Sequence, residues 1–192
     1  MKRPYILGFG GTTRLNSSTE RAVAWVLRDL ERRGATTKLI QGHELALPPY
    51  RPDMTSMPVR ARKLVSEVRK ADGVILGTPG YHGGISGLVK NAIDYLEEMS
   101  NDERPYLDGR VVGCIVTAAG DQGAVMTLNA LRSVVHALRG WPTPMGVSIV
   151  TTEPIFDDKG ECAANQVRNR LETLSRQVWA MTNQYMRIDI AS

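Results

Sequence analysis

The chain has 192 residues, of which 42% are hydrophobic, 23% charged and 6% aromatic. This length favours a single domain spanning residues 1–192, and the apolar fraction excludes an extended disordered chain. No run approaches the ~18 uninterrupted apolar residues that a membrane span requires. Two cysteines are too few for a disulfide framework or a multi-thiolate metal site, and no signal sequence precedes the first strand-like run. We therefore expect a cytoplasmic protein with no metal site and no membrane contact.

The net charge of +4 at pH 7 is mild. Basic residues are scattered among acidic ones along the helical segments, without the block of Lys and Arg interleaved with aromatics that is typical of nucleic-acid binding. We expect most of these charges to be solvated and expect no nucleic-acid partner.

The first elements alternate between strand and helix. Residues 5–9 form a short apolar run before two glycines, which is typical of a buried strand entering a turn. A helix is predicted from Thr19, with apolar residues three and four apart, and Gly34 is placed to end it. Residues 36–41 read as a second strand, and the Pro-rich residues 42–58 as a surface loop.

The same alternation continues to the end of the chain. Further helices are predicted over residues 59–70, 88–99, 127–138 and 163–184, and further strands over 73–78, 111–118 and 147–150. The last helix carries apolar residues at alternating spacings of four and three, ending with Met181, which predicts that all of them face the core.

Strands that alternate with helices predict a parallel sheet with right-handed crossovers and helices on both faces. Five such units in this length favour an α/β fold: a three-layer, doubly wound, five-stranded parallel sheet with the flavodoxin-like strand order 2-1-3-4-5. Ligands of this architecture bind at the carboxyl ends of the strands, so the loops after the first, third and fourth strands are the candidate site.

The loop after the first strand, residues 10–19, leads into a helix N-terminus and contains six hydroxyl or amide side chains and one arginine. A helix cap needs one such residue, whereas a phosphate bound there would use backbone N–H, hydroxyl and guanidinium donors together. The Walker sequence is absent, and the dinucleotide fingerprint fails at its third glycine, where Thr13 stands. The loop therefore favours phosphate binding of another kind.

The other two loops are also rich in small residues. Four glycines in residues 78–87 let the backbone lie flat against a ligand, and Tyr81 offers a ring for stacking. A lone loop histidine such as His82 is more often a surface residue than a catalyst. The loop of residues 117–123 borders the same crevice, where Asp121 either caps the next helix or touches a ligand.

Three segments carry specific patterns in a fixed order. Residues 11–19 read G-T-T-R-x-x-S-x-T, and residues 78–94 read T-P-x-Y-x-G-x-I-x-G-x-x-K-N-A-I-D. These two, with residues 119–132, resemble the phosphate loop, the T-P-E-Y-N signature and the third loop of the NAD(P)H-dependent FMN reductases. The resemblance covers about residues 4–150.

The resemblance implies that FMN is the cofactor and that hydride passes from NADPH or NADH to flavin N5 and on to a second small-molecule acceptor. The positions that match the phosphate-binding residues and their neighbours are Thr12, Arg14, Asn16, Ser17, Ser18 and Thr19. Those that match the segments along the flavin ring are Pro79, Gly80, Tyr81, His82, Gly83, Gly120, Asp121 and Gly123. No catalytic side chain is expected, since the cofactor carries the chemistry. Gly80 and His82 replace the usual Glu and Asn of the family.

Two alternatives stay open. The protein could be a quinone, azo-dye or metal-ion reductase on the same scaffold, or a flavodoxin-type electron carrier, although such carriers are typically acidic and lack the second pattern. Many relatives are dimers or tetramers, which implies a homodimer or homotetramer. Residues 88–99 and 127–139 are candidate contact helices, and they could equally pack only on the sheet.

Overall fold

The computed structural model describes residues 3–191 and the side chains of residues 3–186. Its strands are β1 (Tyr5–Gly10), β2 (Thr36–Ile40), β3 (Gly73–Tyr81), β4 (Gly84–Ile85), β5 (Val111–Ala118), β6 (Trp141–Pro142) and β7 (Val147–Val150). Its α-helices are α1 (Ser18–Arg32), α2 (Val59–Lys70), α3 (Gly87–Asp94), α4 (Asp121–Ala137) and α5 (Asn165–Ala191). Two 3₁₀ helices lie at Gly42–Leu45 and Tyr95–Met99.

The parallel sheet has the order β2-β1-β3-β5, and β6 and β7 both pair with β5 on its outer side. The predicted order 2-1-3-4-5 is confirmed, because the fourth and fifth predicted strands correspond to β5 and β7. The sheet also contains two strands that were not predicted. These are β6 and the short β4, which folds back antiparallel on the end of β3.

Helices cover both faces of the sheet and complete three layers. On one face of the sheet, the apolar sides of α1 and α5 form a single core with the residues of β1, β3 and β5 that point toward these helices. On the other face α2, α3 and α4 form a second core. Gly8 lets α1 approach β1, since a Cβ at this position would lie 2.6 Å from Leu27 Cδ1. The close packing fixes the N-terminus of α1 over the sheet edge.

The structure corrects three details of the sequence prediction. Helix α4 begins at Asp121, six residues before the predicted start at 127, because residues 121–123 form its first turn although Gly123 is a weak helix former. The predicted helix 88–99 is divided into α3 and the 3₁₀ turn Tyr95–Met99. Met181 is exposed, and Thr182 is the residue of that turn that points into the core.

The edge of the sheet opposite the predicted site carries a charged cluster around Glu67. The Tyr5 hydroxyl donates to Glu67 Oε2 at 2.5 Å, and Lys38 Nζ and Lys70 Nζ each lie 3.1 Å from Oε1. The hydrogen bond from Tyr5 and those from the two lysines lower the pKa of Glu67 to about 2. Across residues 3–191, no helix is both long and apolar enough to cross a membrane.

Candidate functional site

The loops that follow β1, β3 and β5 meet at the carboxyl edge of the sheet and enclose a cleft of about 540 Å³. This volume lies within the roughly 300–1,000 Å³ range of small-molecule sites. The cleft is lined by Thr12, Thr13, Arg14, Asn16, Ser17, Ser18, Thr19, Pro79, Gly80, Tyr81, Thr117, Ala118, Ala119 and Thr151.

One end of the cleft is the N-terminus of α1. Ser17 is the N-cap, and its Oγ accepts a hydrogen bond from the amide of Glu20 at 3.3 Å. The amides of Ser18 and Thr19 lie in the first turn, where a helix supplies no acceptor of its own. Together with the positive end of the helix dipole, they make this end of the cleft suited to an anion.

The loop before α1 needs a glycine at position 10. Gly10 has φ of +140°, and a Cβ there would lie 2.0 Å from the carbonyl oxygen of Gly77. Thr12 Oγ1 accepts from the amide of Arg14 at 3.1 Å and closes the following turn. The turn places Arg14 at the mouth of the cleft, with its side chain exposed.

Glu20 fixes this loop from behind. Its carboxylate is buried and accepts a hydrogen bond from the amide of Gly42 at 2.9 Å. Gly42 in turn packs on the loop so closely that a Cβ would lie 2.0 Å from the carbonyl oxygen of Thr12. Glu20 therefore holds the start of the 3₁₀ turn Gly42–Leu45 against the loop.

The hairpin of β3 and β4 forms the second wall. Gly80 and Tyr81 line the cleft, and the Tyr81 side chain is 55% exposed. The connecting residues His82 and Gly83 have φ of 52° and 76°, the two positive angles of a type I′ turn. They lie at the tip of the hairpin, outside the lining of the cleft.

The end of β5 forms the third wall. Thr117, Ala118 and Ala119 line the cleft, and Thr117 Oγ1 is hydrogen-bonded to Thr19 Oγ1 at 2.5 Å, which joins this wall to α1. The Thr151 hydroxyl donates to the carbonyl oxygen of Ala118 at 3.3 Å. Gly120 is the N-cap of α4, which starts directly behind this wall.

Nine of the fourteen predicted site residues come together in the cleft: Thr12, Arg14, Asn16, Ser17, Ser18, Thr19, Pro79, Gly80 and Tyr81. The other five lie outside its lining, at the hairpin tip and at the start of α4: His82, Gly83, Gly120, Asp121 and Gly123. Thr151 was missed, although a threonine directly after the last strand falls at this same edge of the sheet.

The lining offers a restricted chemistry. Arg14 and Tyr81 are its titratable residues, so within the described part of the chain no carboxylate or imidazole faces the cleft. In residues 3–191, no group of three His, Cys, Asp or Glu is placed to hold a metal ion. The cleft can therefore bind an anion and a flat ring, and it offers no carboxylate or imidazole as a general acid or base.

Comparison with known proteins identifies relatives. The FMN-dependent NADPH-azoreductase of Staphylococcus aureus (strain USA300) is 30% identical over 127 residues, which cover 62% of each chain. The NADPH azoreductase of Bacillus sp. (strain OY1-2) is 34% identical over 88 residues, covering 45% of this chain and 46% of the relative. The match thus spans about half to three fifths of the length of these curated relatives.

Solved structures show the same fold. FerB, a flavoenzyme NAD(P)H:(acceptor) oxidoreductase from Paracoccus denitrificans, superposes with a TM-score of 0.77 at 19% identity, over 95% of this chain and 98% of that one. The flavodoxin, WrbA-like protein from Agrobacterium tumefaciens superposes with a TM-score of 0.60 at 18% identity, over 97% and 99%. The family model of the NADPH-dependent FMN reductases matches residues 4–154, which is most of the chain. The chain therefore belongs to the NADPH-dependent FMN reductase family.

Proposed function

We propose that this protein is an FMN-binding oxidoreductase that takes hydride from NADPH or NADH and passes the reducing equivalents to a second small-molecule acceptor. The observation that carries the proposal is the shared cleft. An anion-binding helix N-terminus with Arg14 at its mouth opens into the same space as the glycine-rich hairpin that would face a ring.

The residues present fit FMN. One end of the cleft is polar and rich in donors, as a phosphate requires, and the other end is formed by backbone and small side chains at Gly80 and Ala118, as a flat ring requires. The volume of the cleft, about 540 Å³, suits a cofactor of the size of FMN.

At the phosphate end, Arg14 and the amides and hydroxyls of Ser17 and Ser18 would hold the phosphate. A hydrogen bond to a charged partner contributes about 1.5–3 kcal/mol, whereas the helix dipole contributes about 0.3–1 kcal/mol. The direct bonds therefore dominate the affinity, and the dipole orients the anion.

At the ring end, the hairpin backbone at Gly80 and the end of β5 would set the plane of the flavin, with Tyr81 at its edge. When bound, FMN accepts hydride from a nicotinamide and gives electrons to an acceptor, which is chemistry that side chains do not supply. Because the lining contains no carboxylate or imidazole, the protein's part is to position the two partners.

The second substrate would share the cleft, since a nicotinamide or an acceptor must contact the bound flavin for hydride or electrons to pass. Two relatives carry azoreductase names, which supports an azo compound as one acceptor to test beside quinones and free FMN. The flavodoxin-type carrier is the rival proposal, because the same cleft would serve a protein that exchanges electrons without pyridine nucleotides.

We also propose a cytoplasmic location and a homodimer or homotetramer. Two buried cysteines without a disulfide suit a reducing compartment. A groove of about 300 Å³ between α3 and α4, with apolar Ile93, Val134 and Leu138 in its lining, supports these helices as the subunit contact. Sedimentation equilibrium of the purified protein tests the assembly, and a monomer at high concentration would exclude it.

Anaerobic turnover tests the proposed activity. The FMN-loaded protein is mixed with NADPH or NADH, and flavin absorbance is followed before and after addition of a quinone or an azo dye. We expect reduction by at least one nucleotide and reoxidation by an acceptor. A protein that binds FMN and is reduced by neither nucleotide would support the electron carrier instead.

A further inference from the structure

The wall of the cleft at Gly80 has no room for a side chain. A Cβ at this position would lie 2.7 Å from Thr127 Oγ1, and 3.3 Å from both Ala118 Cβ and the carbonyl oxygen of Gly123. The backbone of Gly80 is not in the left-handed region, so any residue could adopt its conformation. It is therefore space, and not backbone geometry, that excludes a side chain here.

The obstacle to a side chain is part of a buried helix face. Thr127, in the second turn of α4, is fully buried, and its hydroxyl donates to the carbonyl oxygen of Gly84 at 3.4 Å. The side chain of the preceding residue, Met126, lies 3.6 Å from the position of a Cβ on Gly83. Helix α4 thus supports the hairpin from behind at its base, its second strand and its tip.

We propose that Gly80 is a positioning residue, whose missing side chain lets Thr127 press on the back of the β3–β4 hairpin and set how far its backbone projects into the cleft. The inference rests on the proposed function, because the ligand that meets this backbone is the flavin ring of FMN. The FMN reductase pattern has Glu at this position; here the space that a side chain would need is filled by α4.

The methyl group of an alanine at position 80 could not be accommodated by moving the end of a flexible side chain. Thr127 is β-branched and sits on a packed helix, so the added Cβ must move either α4 or the hairpin. A hairpin displaced into the cleft narrows the slot for the ring. We expect the Gly80→Ala variant to bind FMN at least about tenfold more weakly.

Riboflavin separates the ring from the phosphate, because it carries the same ring and lacks the phosphate. If Gly80 acts on the ring, the Gly80→Ala variant loses affinity for FMN and riboflavin by the same factor, and the visible circular dichroism of bound flavin changes. Gly87, the first residue of α3, offers a matched control, since a Cβ there meets nothing within 4 Å. The Gly87→Ala variant should bind both flavins as the wild type does.

Second-site variants test the contact itself. The Gly80→Ala/Thr127→Ala double variant removes the obstructing Oγ1 and should return the FMN Kd to within about threefold of wild type. The Gly80→Ala/Thr127→Val variant keeps a methyl where Oγ1 was and should not recover. If Gly80→Ala fails to fold, Thr127→Ala alone tests the support from the other side, with an FMN Kd raised about threefold or more.

Four results would overturn the inference. One is a Gly80→Ala variant that melts at a lower temperature and binds both flavins normally, because the glycine would then be merely structural. Another is equal recovery of FMN affinity in the Gly80→Ala/Thr127→Ala and Gly80→Ala/Thr127→Val double variants. A third is an unchanged FMN Kd in the single variant Thr127→Ala. A wild-type chain that binds neither flavin would overturn the proposed function and this inference with it, which is distinguishable from the other outcomes.

Discussion

Ser17 combines two tasks that substitution can separate. It caps α1 by accepting from the Glu20 amide at 3.3 Å, and it lines the phosphate end of the cleft. Ser17→Ala removes the cap and should lower the free energy of unfolding by about 1 kcal/mol. Ser17→Asn and Ser17→Asp restore a capping oxygen, so the apo forms of both should unfold at nearly the wild-type denaturant concentration.

The two capping variants should differ in cofactor binding. At about 4 Å and an effective dielectric of about 20, two unit charges interact by about 4 kcal/mol. The cleft is open to solvent, which reduces the repulsion between a phosphate and the carboxylate that Ser17→Asp introduces to about 1–2 kcal/mol, or a roughly tenfold weaker FMN affinity. Fluorescence titration with FMN, beside urea denaturation of the apo forms, measures both quantities. Equal FMN affinities of the Ser17→Asn and Ser17→Asp variants would refute phosphate binding at this helix N-terminus.

Three further substitutions probe the loops and the opposite edge of the sheet. His82→Asn should raise the free energy of unfolding by up to about 1 kcal/mol in urea denaturation, because Asn adopts positive φ more readily; a loss of stability would contradict this. Glu20→Ala leaves the buried Gly42 amide without its acceptor and should cost about 1–3 kcal/mol by the same assay, whereas an unchanged midpoint would remove Glu20 from the loop's support. The pKa of Glu67 is lowered from 4.5 to about 2 by folding, so this carboxylate stabilises the fold above pH 4.5 and the stabilisation is lost as the pH falls toward 2. Glu67→Gln should therefore flatten the dependence of the free energy of unfolding on pH in that range, and an unchanged dependence would contradict the assignment.

The fold could be predicted because its signals are local. The apolar stripe of α1 and the buried runs of β1 and β5 follow helix and strand periods, and alternation then restricts the topology. The start of α4 could not be predicted, since Gly123 resembles a loop residue in sequence, whereas in the structure it lies in a helical turn that the Ala124 amide closes by donating to the Gly120 carbonyl oxygen at 3.0 Å. The pairing of β4 with β3 was not predicted, because β4 has only two residues and is too short to show the alternation of a strand.

The site was predicted to the extent that its residues are adjacent in sequence. Donor residues of the loop before α1 lie together in the cleft because a single turn carries them there. The close approach of Gly80 and Thr127 joins two segments that are separated in the chain by β4, α3 and β5, and no sequence spacing predicts it. Likewise, Thr151 reaches the cleft only through the pairing of β7 with β5.

The difference in affinity between FMN and riboflavin tests the central claim most directly, because the two ligands differ only in the phosphate. Two or more charge-assisted bonds at the α1 N-terminus are worth about 3 kcal/mol or more, so FMN should bind at least about a hundredfold more tightly. Arg14→Ala should reduce this ratio by about tenfold, whereas Arg62→Ala, which removes an exposed arginine of α2 outside the lining, should leave it unchanged. Equal affinities for FMN and riboflavin in the wild-type protein would contradict the account.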